Sequence, residues 1–215
     1  MISCHFFYNR NDLFINLIDG IIFVKLHIHR CSALEIQTVS QCPVTLGIGA
    51  MCMALSSVLS LIKLWPMPMG GSVTPASMLP LLLFAYCYGV GPGMVLGALY
   101  GVMQFLLDGM AWAALGAIPN LLDYPIAFGL LGLAGCFRGS KAKMTAGFVL
   151  GCFGRFMASF LSGFIFYGQY APEGVNPVWY SLTYNGSYML VECIICIALG
   201  LLVGERLAKE LKKVA

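Results

Sequence analysis

Charge is what this chain has least of. Only 10% of its 215 residues are Asp, Glu, Lys or Arg, while 60% are apolar, and the mean hydropathy is +0.86. Soluble domains carry about 25% charged residues, so a soluble domain is excluded and an integral membrane protein is indicated. The net charge of +3 is small, and the basic residues sit at segment ends. No basic stripe with interleaved aromatics exists, which excludes nucleic-acid binding. Histidine is confined to His5, His27 and His29. His27-x-His29 has no further metal-type ligands nearby, and no Ser/His/Asp set can be assembled, so neither metal nor acyl-transfer catalysis is indicated. The GxxxxGK[ST] phosphate loop is also lacking; any ATP-driven step would need partner ATPases. Nine cysteines are present, but most lie inside apolar runs, Cys193 and Cys196 among them. Buried thiols acting as small apolar side chains are the expected reading.

The long apolar runs fill nearly the whole chain, so one membrane domain is expected, over 44–205. Residues 1–43 differ: they hold the histidines, mixed charges, and one apolar run, 13–26, interrupted by Asn16, Asp19 and Lys25. That run is too short and polar to cross about 30 Å of hydrocarbon and makes a poor signal peptide. It reads as an interfacial helix, a disordered leader or translated sequence upstream of the true start, with the last two favoured. Six spans follow. Residues 44–62 are uncharged, enough for one helix. Residues 64–107 are uncharged but too long for one span. Pro66-x-Pro68-x-Gly70-Gly71 is expected to form a loop and Gly89-x-Gly91-Pro92-Gly93 a turn, leaving spans near 75–89 and 93–108. The remaining spans fall near 117–136, 144–168 and 178–204, and a basic tail occupies 206–215. The fold class is therefore an all-α bundle of six transmembrane helices.

Lys and Arg set the orientation. Arg138, Lys141 and Lys143 follow the fourth span, and Arg206, Lys209, Lys212 and Lys213 follow the sixth. Both places, and with them both termini, are expected in the cytoplasm. The loops at 64–75, 109–116 and 169–177 then face outside and hold no Lys or Arg; Lys63, bordering the first, is the one discordant charge.

Asp123 is the only charge in 117–136. A carboxylate at membrane depth costs on the order of 2.5–3.5 kcal/mol and marks a functional site by default; the other reading is a cap at the water interface. Pro125 fits a first helical turn. In the inferred orientation Asp123, Tyr124, Tyr167, Tyr180, Tyr184 and Asn185 gather at the outer side, with Tyr100 near the middle of the third span. One carboxylate, several tyrosines and an amide suit a flat, cationic or polar, ring-bearing ligand. An aromatic belt is the competing reading for the tyrosines, and Trp65, Trp112 and Trp179 are assigned to it.

Several motifs together carry a family resemblance. They are Pro68-Met69-Gly70-Gly71-Ser72 with Ser77-Met78-Leu79-Pro80, Leu122-Asp123-Tyr124-Pro125-x-Ala127-Phe128 with Leu131-Gly132-Leu133-Ala134-Gly135, Arg155-Phe156, Ser162-Gly163-x-Ile165-Phe166, Gln169-Tyr170-Ala171, and Tyr180-Ser181-Leu182-x-Tyr184-Asn185-Gly186. In this order, over about 46–205, the chain resembles the thiamine-specific substrate-binding (S) component of energy-coupling factor (ECF) transporters. The resemblance implies six membrane helices, with thiamine, its phosphates or a related pyrimidine bound near the outer face under the loop joining helices 1 and 2. It places the family's acid and following Tyr on Asp123 and Tyr124, with Asp one methylene shorter than the frequent Glu. The Tyr and Asn of the last helix fall on Tyr180 and Asn185. The aromatic of the third helix falls on Tyr100, and the stacking aromatic ending the fifth, often Trp, falls on Tyr167. Where many members have a ligand-contacting His, this chain has Ser159. The resemblance also implies a small-residue docking face, Ala50-x-x-x-Ala54, for the coupling transmembrane subunit, and two partner ATPase subunits. It implies no catalytic residues, cofactor or metal, and a prokaryotic plasma-membrane location. The alternative is a stand-alone secondary transporter with a proton relay through Asp123, Arg155 and Glu192; an intramembrane enzyme is a third possibility.

Overall fold

The computed structural model describes residues 43–67, 71–107, 116–168, 174–204 and 206–207. Residues 1–42 with His27-x-His29, Pro68, Met69 and Gly70, Trp112, Gln169-Tyr170-Ala171 and most of the stretch 206–215 lie outside the described residues.

Helix α1, Pro43–Leu61, ends two residues before Lys63. A short antiparallel hairpin follows, β1 (Trp65–Pro66) pairing with β2 (Ser72–Val73) in the register Trp65 opposite Val73. This corrects the expected plain loop. Two residues per strand leave no alternation to read, but the Leu64 N–H donates to Val73 O at 2.8 Å and the Met67 N–H to Gly71 O at 3.2 Å. Helix α2 covers only Leu79–Tyr88, shorter than the expected 75–89. The preceding Thr74–Met78 stretch turns instead, with Ala76 in the left-handed region (φ 65°), and Pro80 is confined to the first helical turn. Ten residues rise about 15 Å, half the hydrocarbon thickness. The helix compensates by position: every side chain from Pro80 to Cys87 is buried, so α2 lies sheltered within the bundle.

Gly89 (φ 104°) is the only break before α3, Val90–Leu107. Helix α3 thus begins earlier than expected, with Gly91 and Pro92 inside its first turn, where Pro lacks no needed donor. Span α4, Ala117–Cys136, is not one regular helix. It runs as α-helix over Ala117–Leu121, a π turn over Leu122–Ile126, α-helix again over Ala127–Gly129 and 3₁₀-helix over Leu130–Cys136. Pro125 therefore lies inside the helix, not in its first turn as expected. It has no N–H to donate, and a widened turn accommodates the missing bond. Helix α5, Lys141–Phe166, starts where Ser140 Oγ accepts from the Lys143 N–H at 3.3 Å. Helix α6, Pro177–Leu199, starts where Asn176 Oδ1 accepts from the Val178 N–H at 2.9 Å, and it continues into a π turn, Gly200–Gly204.

Among the described residues, α1, α3, α4, α5 and α6 are long and apolar enough to cross a membrane, and α2 is a shorter apolar helix. Their outer surface is apolar: Leu46, Met51, Leu61, Leu190 and Leu202 are all exposed, as suits side chains facing lipid. Close approach of α3 to the irregular α4 depends on glycine. A Cβ at Gly97 would overlap the Phe128 carbonyl and lie 3.1 Å from Gly129 Cα; one at Gly101 would lie 2.8 Å from Pro125 Cα. Gly97 and Gly101 form a small-xxx-small contact, the arrangement that lets backbones meet in lipid, where packing drives association.

Candidate functional site

Because consecutive helices alternate in direction, one end of the bundle collects the C-terminal parts of α1, α3 and α5 and the N-terminal parts of α2, α4 and α6. A cavity of about 260 Å³ opens there. Its volume sits just below the usual range for small-molecule sites, roughly 300–1,000 Å³.

The π turn places Asp123 and Tyr124 on the cavity wall. Ser162 Oγ, on α5, donates to Asp123 Oδ2 at 2.7 Å. Asp123 has no ion-pair partner among the described residues, and the hydroxyl of Ser162 is what answers its carboxyl. The Tyr124 ring meets Phe105 edge-on at 5.6 Å, which fixes it against α3.

Helix α6 presents one face to the cavity at helical spacing: Tyr180, Ser181, Tyr184, Asn185, Tyr188 and Glu192. The rings follow one another along it, Tyr180 tilted against Tyr184 at 5.9 Å and Tyr184 edge-on to Tyr188 at 6.1 Å. Asn185 is fixed from both ends. Its Nδ2 donates to Ser181 O at 3.1 Å, and Tyr188 OH donates to its Oδ1 at 3.1 Å. Gly163 allows this contact, since a Cβ there would lie 3.0 Å from Asn185 Nδ2.

Tyr167, just past the end of α5, and Ser159, two turns earlier, both line the cavity. From α3 come Tyr100, fully buried, and Gln104. Tyr100 OH donates to Ser56 O at 3.2 Å and accepts from Gln104 Nε2, which also donates to Ser60 Oγ at 2.7 Å. Tyr100 also packs edge-on against Phe128 at 4.9 Å. The hairpin covers one side through Pro66, Met67, Gly71 and Ser72.

All seven ligand-site residues expected from the sequence thus line one cavity: Tyr100, Asp123, Tyr124, Ser159, Tyr167, Tyr180 and Asn185. Ala50 and Ala54 do not; they are exposed on α1. Gln104, Phe128 and Tyr188 were not foreseen as lining. Gln104 had a usable signal, a polar residue one turn from Tyr100 in an otherwise apolar run. Lys63, discordant for orientation, lies at the cavity, which gives its charge a local setting. Trp65 and Trp179 are exposed and do not line the cavity, as the belt assignment requires.

The pattern that defines the family described as "Thiamine transporter protein" matches residues 46–211. The chain belongs to the thiamine transporter family. Among curated relatives, "Thiamine transporter ThiT" of Bacillus subtilis (strain 168) is 38% identical over 144 residues, covering 60% of this chain and 73% of the relative. The protein of the same name from Lacticaseibacillus paracasei is 33% identical over 134 residues, covering 56% and 67%. A solved structure of ThiT from Listeria monocytogenes superimposes with a TM-score of 0.67 at 20% identity, over 78% of this chain and 97% of that one; this likeness supports the fold. These relatives are named as transporters, a role in transport or binding rather than catalysis. The family and the apolar helices together make the chain a multi-pass membrane protein.

Proposed function

We propose that this chain is a high-affinity thiamine-binding S component of an ECF uptake transporter in a prokaryotic plasma membrane. The observation that carries this reading is Asp123, an acid in a half-buried position on an aromatic cavity wall, bonded by the hydroxyl of Ser162 and without an ion pair among the described residues. Thiamine is a monocation with two flat rings, one bearing an exocyclic amine. Asp123 accepts from the amine or offsets the ring charge, Tyr167 and Tyr180 stack on ring faces, Asn185 and Ser159 supply placed polar contacts, and Tyr100 and Tyr124 shape the floor and side.

In this reading all six helices count as membrane elements, α2 being sheltered within the bundle. The termini lie in the cytoplasm, and the cavity opens outside. Ala50 and Ala54, exposed on α1 at i and i+4, form the face for the ECF coupling transmembrane subunit, which in turn engages two ATPase subunits. Uptake by membrane vesicles tests this. Vesicles holding the chain with a coupling module and ATP should accumulate thiamine, and vesicles holding the chain alone should not. Accumulation by the chain alone under a proton gradient would favour a secondary transporter.

A further inference from the structure

Beneath the aromatic wall the same cavity holds a second acid and a base. Glu192, on α6, is 1% exposed. Its Oε1 accepts from Thr74 Oγ1 and, at 2.9 Å, from Ser77 Oγ, both in the turn that leads into α2. Its Oε2 lies 3.8 Å from Nη1 of Arg155. That separation is charge pairing, not a hydrogen bond. The Arg155 guanidinium carbon sits 4.1 Å from the centroid of the Phe128 ring, while its Nε and Nη1 are buried without a hydrogen-bond acceptor. Arg155 is therefore held by the opposite charge of Glu192 and by a ring face.

The charges of the inner cavity follow from these contacts. With both acids ionised, Asp123 and Glu192 contribute two negative charges and Arg155 one positive, and because Arg155 pairs with Glu192 the net negative charge falls at Asp123. Lys63 is exposed at the cavity's edge, where water and salt screen it more than the buried groups. Take Glu192 away and the Arg155 charge is unanswered inside the site, cancelling Asp123 at a distance.

We propose that Glu192 is a specificity-determining residue: by neutralising Arg155 it lets the cavity present the lone charge of Asp123, and so selects a monocation over a neutral or anionic ligand of the same shape. This rests on the thiamine-binding reading above and assigns the charge preference of that site. Glu192 acts through Arg155, not by contact with the ligand. The hydrogen bonds from Thr74 and Ser77 saturate Oε1 and aim Oε2 at the guanidinium.

The test is calorimetric titration of the purified full chain with thiamine, with an analogue whose thiazolium is replaced by an uncharged ring, and with thiamine monophosphate. Glu192→Gln keeps an oxygen for Thr74 and Ser77 and loses the charge. It should weaken thiamine binding about tenfold, leave the neutral analogue within about twofold, and strengthen the monophosphate. The double variant Arg155→Gln with Glu192→Gln restores the single negative charge, so its preference for thiamine over the neutral analogue should return to within about threefold of wild type. Equal weakening of every probe in Glu192→Gln would reduce Glu192 to a structural role and overturn the proposal. If the single variant does not fold, the double variant decides: a retained preference supports the proposal and a collapsed one overturns it. A wild-type chain that binds none of the probes would overturn the thiamine reading itself, and the charge assignment with it.

Discussion

Ser162 Oγ donates to Asp123 Oδ2 at 2.7 Å, joining α5 to the π turn of α4. The bond holds the acid against one wall without an ion pair. Asp123→Asn keeps the shape and removes the charge. Charged hydrogen bonds contribute roughly 1.5–3 kcal/mol, so thiamine affinity measured by fluorescence quenching should fall about tenfold or more. An unchanged affinity would take Asp123 out of the site.

The aromatic wall makes a comparative prediction. Tyr167 lines the cavity, whereas Trp179 is 63% exposed on the outer surface. Stacking of a ring on an aromatic contributes about 1–3 kcal/mol. Tyr167→Ala should therefore weaken thiamine binding at least about fivefold, and Trp179→Ala should leave it near wild type. Equal losses in parallel titrations would refute the stacking role.

The glycine contact predicts coupled loss of stability and binding. A methyl at Gly101 meets the backbone of Tyr124 and Pro125. Overpacking costs typically about 1–3 kcal/mol, and here the backbone that must yield carries Asp123. Gly101→Ala should lower the detergent melting temperature and weaken thiamine binding, whereas Gly116→Ala, which has open space around it but a φ of 102°, should cost stability through backbone strain alone and spare affinity. Intact binding and melting in Gly101→Ala would show that α3 and α4 are not in close contact.

The α1 face separates binding from transport. Ala50→Trp and Ala54→Trp add bulk at exposed positions away from the cavity. Thiamine titration in detergent should match wild type, while ATP-dependent uptake in vesicles with the coupling module should fail. Full uptake by both variants would exclude this docking face.

Much of this site was legible because the bilayer makes polar residues conspicuous. Asp123 stands alone in an apolar run, and Tyr180, Tyr184 and Asn185 recur at helical spacing. The helix limits at 61 and 166 follow charge gaps and turn residues closely. What escaped had little local signal. The hairpin uses strands too short for alternation, and Pro66-x-Pro68 argued for a loop. The π turn has a local cue in Pro125, but the sequence alone puts that proline in a first helical turn, because where α4 begins relative to it, against Gly97 and Gly101 of α3, is a tertiary matter. The bonds from Thr74 and Ser77 to Glu192 span more than a hundred residues, so no window along the chain could show that the α2 approach is anchored on α6.

The central claim is that this chain alone forms a complete thiamine site, and isothermal titration of the purified protein, without any partner subunit, tests it most directly. The account predicts saturable binding of about one thiamine per chain with a Kd below about 1 μM, equivalent to more than about 8 kcal/mol, weakened in Asp123→Asn. Absence of saturable heat from a folded, monodisperse wild-type protein would contradict it.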